Sequence, residues 1–507
     1  MIPRTASILP TRWNDPRMIW VATAVLVGAA FFYKEHDLTI SRSPTWTPWS
    51  AEGEAVVRGG NLLKGGVLGL VGLWGLWLAA VPTRRRLRPM AVPLLFGAAY
   101  LVWCGLSLTW SDDPAGSFRS WAVTAAFAVG AVGLARHLSA ADTARIVVTV
   151  CSSFFVVGVL AELAQGEFRP WDGEWRFAGT IHPNSQGALL GLTTVALAYL
   201  WYDRRLAAER STPLGPAPAP APAPPSGELP RHADPSSVGN RPGPAASAAP
   251  SAFARLIPLL LLAVFVGLVL TKSRTCTAAA IASTGLLAVL LCRWPTKAAI
   301  VGGGAWLVAA AGIGLILSGV DLEDKLLDVG MMGRVDDSSA LTGRVPIWLV
   351  LTDYIGRRPW TGYGYAAFWT VDRIDQVSRE LQWTLREAHN LYVECVLWTG
   401  FTGLFLLMAT ILSAVAAALL RVYAAGSRGL RRTAAANGYV VVALFTAGVL
   451  GITESGALNP SVDNLLLSVL VFQVLLGTAG QPEDDPPTGP DPAAGPLPPP
   501  DAVPTHA

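Results

Sequence analysis

Long apolar runs separated by short polar stretches dominate this chain. Twelve such runs occur, at about residues 18–33, 62–81, 91–108, 119–136, 144–165, 184–202, 255–271, 275–292, 297–318, 391–420, 437–453 and 463–480. A bilayer core of about 30 Å takes ~20 apolar residues in a helix, with roughly 17–25 tolerated. The pattern therefore predicts an all-α polytopic membrane protein of about 12 transmembrane helices. Between the ninth and tenth runs, residues 320–388 place Trp348, Trp360, Trp369 and Trp383 among mixed charges, enough apolar surface to pack as a loop with short helices. The first run is short, follows an Arg-bearing approach and contains Gly28, Ala29 and Ala30, so a cleaved signal peptide is the alternative to a first span.

Composition agrees with this pattern. The 507 residues are 52% hydrophobic and only 14% charged, with mean hydropathy +0.43, and a soluble chain of this length needs more charge. A net charge of +3 disfavours a nucleic-acid partner held by phosphate neutralisation. Basic residues concentrate in alternate short loops, with Arg84, Arg85, Arg86 and Arg88 in one and Arg421, Arg428, Arg431 and Arg432 in another. The positive-inside rule then places both termini in the cytoplasm. Of 38 prolines, 12 lie in residues 213–250 and 10 in residues 481–507. These segments read as a disordered Ala/Pro-rich cytoplasmic loop and tail. The expected organisation is helices 1–6 in 1–202, the loop in 203–254, helices 7–9 in 255–319, an extracytoplasmic loop in 320–388, helices 10–12 in 389–480 and the tail in 481–507. Cys104, Cys151, Cys276, Cys292 and Cys395 sit in or beside apolar runs without a C-x-x-C pair, which suits buried thiols better than a disulfide scaffold.

Ionisable residues gather at the mouths of the spans. A transporter is expected to carry charge at the bilayer midplane on broken helices, whereas these spans hold few charges, with Glu162 the main acidic exception. The topology puts His36, His182 and His389 outside. His389 stands in Arg386-Glu387-Ala388-His389-Asn390, just before the tenth run, where an imidazole can act as a general base or simply cap a helix. Thr271-Lys272-Ser273-Arg274-Thr275 forms a short outer turn, and Thr342-Gly343-Arg344 precedes Val345-Pro346-Ile347-Trp348. Two guanidiniums can neutralise a diphosphate without a divalent metal. Either arginine can equally contact a lipid headgroup or pair with a carboxylate. Asp112-Asp113, followed by Pro114, lacks a neighbouring His or third acid, so a turn and helix start is preferred over a metal site.

Several of these segments resemble the O-antigen ligase and polysaccharide polymerase superfamily of bacterial membrane glycosyltransferases. The resemblance rests on His389-Asn390 followed after nine residues by Gly400-Phe401-Thr402-Gly403. Further matches are Ser273-Arg274-Thr275, Gly343-Arg344 with Trp348, Pro359-Trp360-Thr361-Gly362-Tyr363-Gly364 and Trp110-Ser111-Asp112-Asp113-Pro114, in order across roughly residues 90–475. It implies a GT-C-like membrane fold and a metal-independent, inverting transfer of a glycan from a polyprenyl (undecaprenyl)-diphosphate carrier to an acceptor hydroxyl. The transfer would occur on the outer face of the cytoplasmic membrane, in cell-surface polysaccharide biosynthesis, with no cofactor. His389 would be the base, Arg274 and Arg344 would stabilise the departing diphosphate, and Asn390 would orient the base. Substrate contacts are also expected from Lys272 and from His182 and Asn184, which resemble a recurrent family segment, with His182 the rival base. Tyr363 and Tyr365 can offer aromatic surface to sugar rings or pack a turn. The expected partners are the lipid-linked glycan donor, a lipid or glycan acceptor and the membrane. A repeat-unit polymerase needs the same chemistry, a lipid-linked sugar flippase would share the membrane frame, and a structural subunit is a third reading.

Overall fold

The computed structural model describes residues 16–33, 36, 62–83, 85–173, 175–211, 252–292, 294–317, 344–381, 385, 387–458 and 461–480. In chain order the helices are α1 Pro16–Tyr33, α2 Leu62–Ala80, α3 Ala91–Leu106, α4 Pro114–His137, α5 Ala140–Gln165, α6 Pro183–Ser211, α7 Ala252–Leu270, α8 Arg274–Leu291, α9 Trp294–Leu317, α10 Arg344–Arg357, α11 Val371–Leu381, α12 Leu391–Ser427, α13 Arg431–Leu450 and α14 Val462–Leu476. There is no strand among the described residues. Each of the twelve apolar runs falls on one of these helices, and α10 and α11 lie within 320–388. Six helical segments among the described residues are long and apolar enough to cross a membrane, and four more are shorter apolar helices. The protein is an all-α polytopic membrane protein.

Local sequence explains several of the helix starts. Asp113 accepts from the Gly116 amide at 2.9 Å and Pro114 occupies the first turn of α4, where the missing proline N–H costs nothing. Ser139 and Asp142 form a reciprocal capping box at α5. One boundary differs from that expected. The helix expected at 184–202 continues as α6 to Ser211, so 203–211 is not part of the expected loop. Arg204, Arg205, Leu206, Ala207, Ala208 and Glu209 are strong helix formers, and a helix need not stop where apolarity does. The proline-rich stretch itself and the tail from 481 lie outside the described residues.

The main core runs through α5, α6, α13 and α14. At its centre the rings of Tyr199 on α6 and Tyr439 on α13 stack at 4.7 Å. Small residues let α2 and α4 approach to backbone contact, since a Cβ on Gly75 would run into Gly130 and one on Gly72 into Ala126. This is the packing expected where apolar lipid leaves shape as the main discriminator between helix faces.

A second core joins α3, α10, α11 and the first turns of α12, with Ile347, Leu351, Tyr354, Phe368, Leu397 and Trp398 in it. Here α12 breaks at Gly400 (φ 70°, ψ −177°), a conformation open to glycine. The break frees carbonyls that the helix would otherwise use. The Tyr363 amide donates to Leu397 O at 2.9 Å, the Gly364 amide to Trp398 O at 3.0 Å and the Trp103 indole to Thr399 O at 2.9 Å. The 359–364 segment and the glycine motif after His389, remote in sequence, are therefore one interlocked unit.

Candidate active site

His389 occupies a tightly supported segment between α11 and α12. Asn390 caps α12 by accepting from the Tyr392 and Val393 amides at 2.9 and 3.0 Å. Its Nδ2 donates to Ile452 O at 3.0 Å and its amide to Ser455 Oγ at 3.0 Å. The amide of Ala388 donates to Glu394 Oε2 at 2.7 Å, while the Trp348 indole donates to Ala388 O at 3.0 Å. Glu394 also accepts from the Trp369 indole at 2.7 Å. These contacts hold His389 at φ 49°, a left-handed conformation uncommon for a residue with a side chain. Backbone strain of this kind persists only where surroundings over-determine it.

The His389 imidazole faces a carboxylate. Its Nδ1 lies 3.2 Å from Glu387 Oε1, with the two side chains 23% and 34% exposed. Burial pushes the Glu387 carboxyl up, but the adjacent His389 ring and the charges of His389, His182 and Arg344 outweigh it and hold it below the usual glutamate range. The Glu387 carboxylate thus sets a negative charge beside the imidazole, a surrounding that favours its protonated form.

Beside this pair runs a chain of alternating cations, amide and acid. Arg344, first residue of α10, donates to Glu454 Oε1 at 2.9 Å. The same oxygen accepts from Asn184 Nδ2 at 2.9 Å, and Asn184 Oδ1 accepts from Arg176 Nη2 at 2.8 Å. Arg176 also donates through Nε to Thr271 O at 3.0 Å. The connection between α5 and α6 that carries Arg176 is pinned from behind by Glu162, whose Oε1 accepts from the Ala178 amide at 3.0 Å and the Gly179 amide at 2.6 Å. Burial raises the Glu454 carboxyl above its ordinary range, ahead of the lowering pull of Arg344 and His389.

Of the residues expected from sequence, His389, Arg344, Asn184 and His182 meet in this cluster. His182 is partly open to solvent, yet crowding by surrounding protein and then the Arg176 charge push its imidazole down to about 4. Such a group is neutral at pH 7 but a weak proton acceptor. Asn390 spends its amide on capping and on Ile452, which suits positioning. Lys272 donates to Gly173 O, and Arg274 opens α8 close by in sequence, but the bonded chain runs through Arg176 and Arg344. Tyr363 and Tyr365 are 5% and 2% exposed and form the packed turn, not an open aromatic surface. The Tyr363 ring is covered by Arg358 at 4.8 Å and Arg373 at 4.4 Å. Both arginines pair with Asp112, so that residue is committed to the fold. His36 Nδ1 is likewise engaged, at 2.9 Å from Thr180 Oγ1.

Sequence reasoning missed Arg176 and Glu454 and gave Glu387 no role. The available signal was their position at the mouths of apolar runs. Glu387, His389 and Glu454 bring possible ligand atoms within 4.8 Å of one another, a spacing that a divalent cation would accept. Arg344 already lies against Glu454, so a divalent ion there would sit beside a guanidinium. The donors read better as an ion-pair network.

The fold and this cluster define a helical, multi-pass membrane protein with a charged site built at one end of the bundle. Residues 259–408 match the sequence profile of the family described as O-Antigen ligase. That match covers under a third of the chain and supports the resemblance to the O-antigen ligase and polysaccharide polymerase superfamily. The matched region contains Arg274, Arg344, Glu387 and His389, whereas Arg176, His182, Asn184 and Glu454 lie outside it. No curated protein matches the chain.

Proposed function

We propose that this protein is an O-antigen ligase-like glycosyltransferase. It transfers a glycan from a polyprenyl-diphosphate carrier to an acceptor hydroxyl at the outer face of the cytoplasmic membrane, with inversion and without a metal. The observation that carries the reading is the Glu387–His389 pair beside Arg344, with His389 Nδ1 3.2 Å from the carboxylate. In the reaction the acceptor oxygen bonds to the anomeric carbon as its proton passes to His389 Nε2. The bond from that carbon to the phosphate oxygen breaks, and its electron pair leaves with the diphosphate. Such a leaving group needs no proton, so the acid of an ordinary glycosidase pair is dispensable. What it needs is positive charge, which Arg344 supplies directly and Arg176 and Arg274 from the neighbouring turns. Twelve membrane spans with both termini cytoplasmic would place all of these residues outside.

Reconstitution with a polyprenyl-diphosphate glycan, candidate acceptors and EDTA tests the reading. Product is expected with the parent protein and to fall sharply with His389→Gln. A requirement for added divalent metal, or an unchanged rate in that variant, would sink it. A repeat-unit polymerase uses the same site, and an acceptor that is itself carrier-linked would identify one. A flippase instead predicts movement of the lipid-linked sugar with no new glycosidic bond.

A further inference from the structure

Glu454 takes no part in the transfer step, yet the polar cluster converges on it. One oxygen, Oε1, receives both Arg344 Nη2 and Asn184 Nδ2 at 2.9 Å, and Asn184 passes the connection to Arg176 at 2.8 Å. Arg344 and Glu454 are 14% and 24% exposed, so the pair is largely removed from water. To a guanidinium, a carboxylate and a phosphate present the same feature, paired anionic oxygens in reach of its planar fork. Glu387 is engaged by His389, which leaves Glu454 as the acid that neutralises the Arg344 side of the site. Burial also raises its carboxyl, so its hold on a proton is strengthened relative to a free glutamate.

We infer that Glu454 is an internal stand-in for the substrate's diphosphate. It keeps Arg344, and through Asn184 also Arg176, in the arrangement that receives phosphate oxygens, and it gives way when a diphosphate arrives. After the glycan has moved, the returning carboxylate competes with the spent carrier for Arg344 and promotes its release. Arg176 thereby becomes a second cation of the anion seat. The inference rests on the proposed diphosphate-carrier reading. The charged and titratable groups around Glu454 include Arg176 and His182 from the α5–α6 connection, Cys276 from α8, Arg344 from α10, and Glu387 and His389 from the α11–α12 connection.

The test is calorimetric titration of the full chain in detergent with inorganic pyrophosphate, in EDTA. Glu454→Gln keeps an acceptor for Arg344 and Asn184 but removes the charge, and is expected to bind pyrophosphate at least about tenfold more tightly than the parent. Glu454→Asp draws the charge back from Arg344 and should give a smaller gain in the same direction, which covers the case in which the glutamine variant does not fold. Weaker binding in the folded Glu454 variants would make this residue a support for Arg344 and overturn the proposal. Equal affinity for glycerol phosphate would reassign the seat to ordinary lipid headgroups and overturn it as well. If Arg344→Gln and Arg176→Gln leave pyrophosphate binding untouched, or the parent binds none, the diphosphate reading itself fails, an outcome that distinguishes the two ideas.

Discussion

Nδ1 of His389 lies 3.2 Å from Oε1 of Glu387, and the residue between them is held at its amide by Glu394 and at its carbonyl by Trp348. A histidine whose backbone is so held is positioned before substrate arrives, as the proposed general-base role requires. Positioned proton transfer contributes about a hundredfold to ten-thousandfold in rate. His389→Gln should therefore lower transfer by about a hundredfold or more. Glu387→Gln, which leaves the base in place but removes its anchor and countercharge, should cost on the order of tenfold to a hundredfold. Rates in proteoliposomes, read beside thermal melting to confirm folding, decide this; full activity in Glu387→Gln would remove that residue from the mechanism.

Glu387 also sets a pH dependence. Its folded carboxyl is held below the usual range, so the fold binds its ionised form more tightly than the unfolded chain does. The stabilisation is present above the unfolded value, about 4.3, and is lost as pH falls through the depressed folded value. Melting temperatures of the parent and Glu387→Gln should differ most near neutral pH and converge at the acid end. A difference that stays constant across this window would count against the linkage.

Glu162 lies outside the site but holds the amides of Ala178 and Gly179, two and three residues after Arg176 in the chain. Glu162→Ala should loosen residues 175–182 and lower transfer while leaving every bonded site residue chemically intact. Faster amide exchange confined to that connection is the expected signature. Unchanged exchange would show that the Arg176 and Thr271 contacts suffice to hold it.

Close helix approach makes a sharper prediction for stability. Gly75 faces the backbone of Gly130, whereas nothing lies within 4 Å of the Cβ position of Gly69 on the same helix. Gly75→Leu should destabilise by at least about 1–3 kcal/mol, the usual cost of overpacking, and Gly69→Leu should be tolerated. Comparable melting temperatures for the two variants would contradict the α2–α4 packing.

At the opposite end of the bundle from the site, Asp203 on α6 accepts from Arg432 Nε at 2.8 Å and Nη2 at 2.9 Å. Asp203 is 5% exposed. Arg432 is 30% exposed, so removing Asp203 costs about the net worth of hydrogen bonds to a charged group, about 1.5–3 kcal/mol. Asp203→Ala should show that loss, and combining it with Arg432→Met should recover much of it. A double variant no better than the single one would show that Arg432 finds another partner.

The resemblance signalled by separate motifs acquires a physical basis in the fold. The 359–364 segment and the glycines after His389 were legible as matching strings, but nothing local says that they touch. Their contact arises because Gly400 breaks α12 and exposes carbonyls that the Tyr363 and Gly364 amides satisfy. The tyrosines show the converse. As exposed-looking polar aromatics beside glycine they suited sugar binding, and only packing against Trp398, Phe368 and the arginines reveals that they are buried.

By itself the sequence determined the helical membrane character and the position of each apolar run, and its motifs carried the resemblance that singled out His389 and Arg344 as candidates. Those features are local, since hydrophobic length, helix caps and short motifs act within a few residues along the chain. Tertiary structure decided the partners. Glu387 could be guessed from its place two residues before His389, but Glu454, Asn184 and Arg176 come from connections far apart in sequence, and their pairing depends on which helix ends are neighbours. A charge's partner is set by distance through space, and chain order does not encode that distance until the helices have packed.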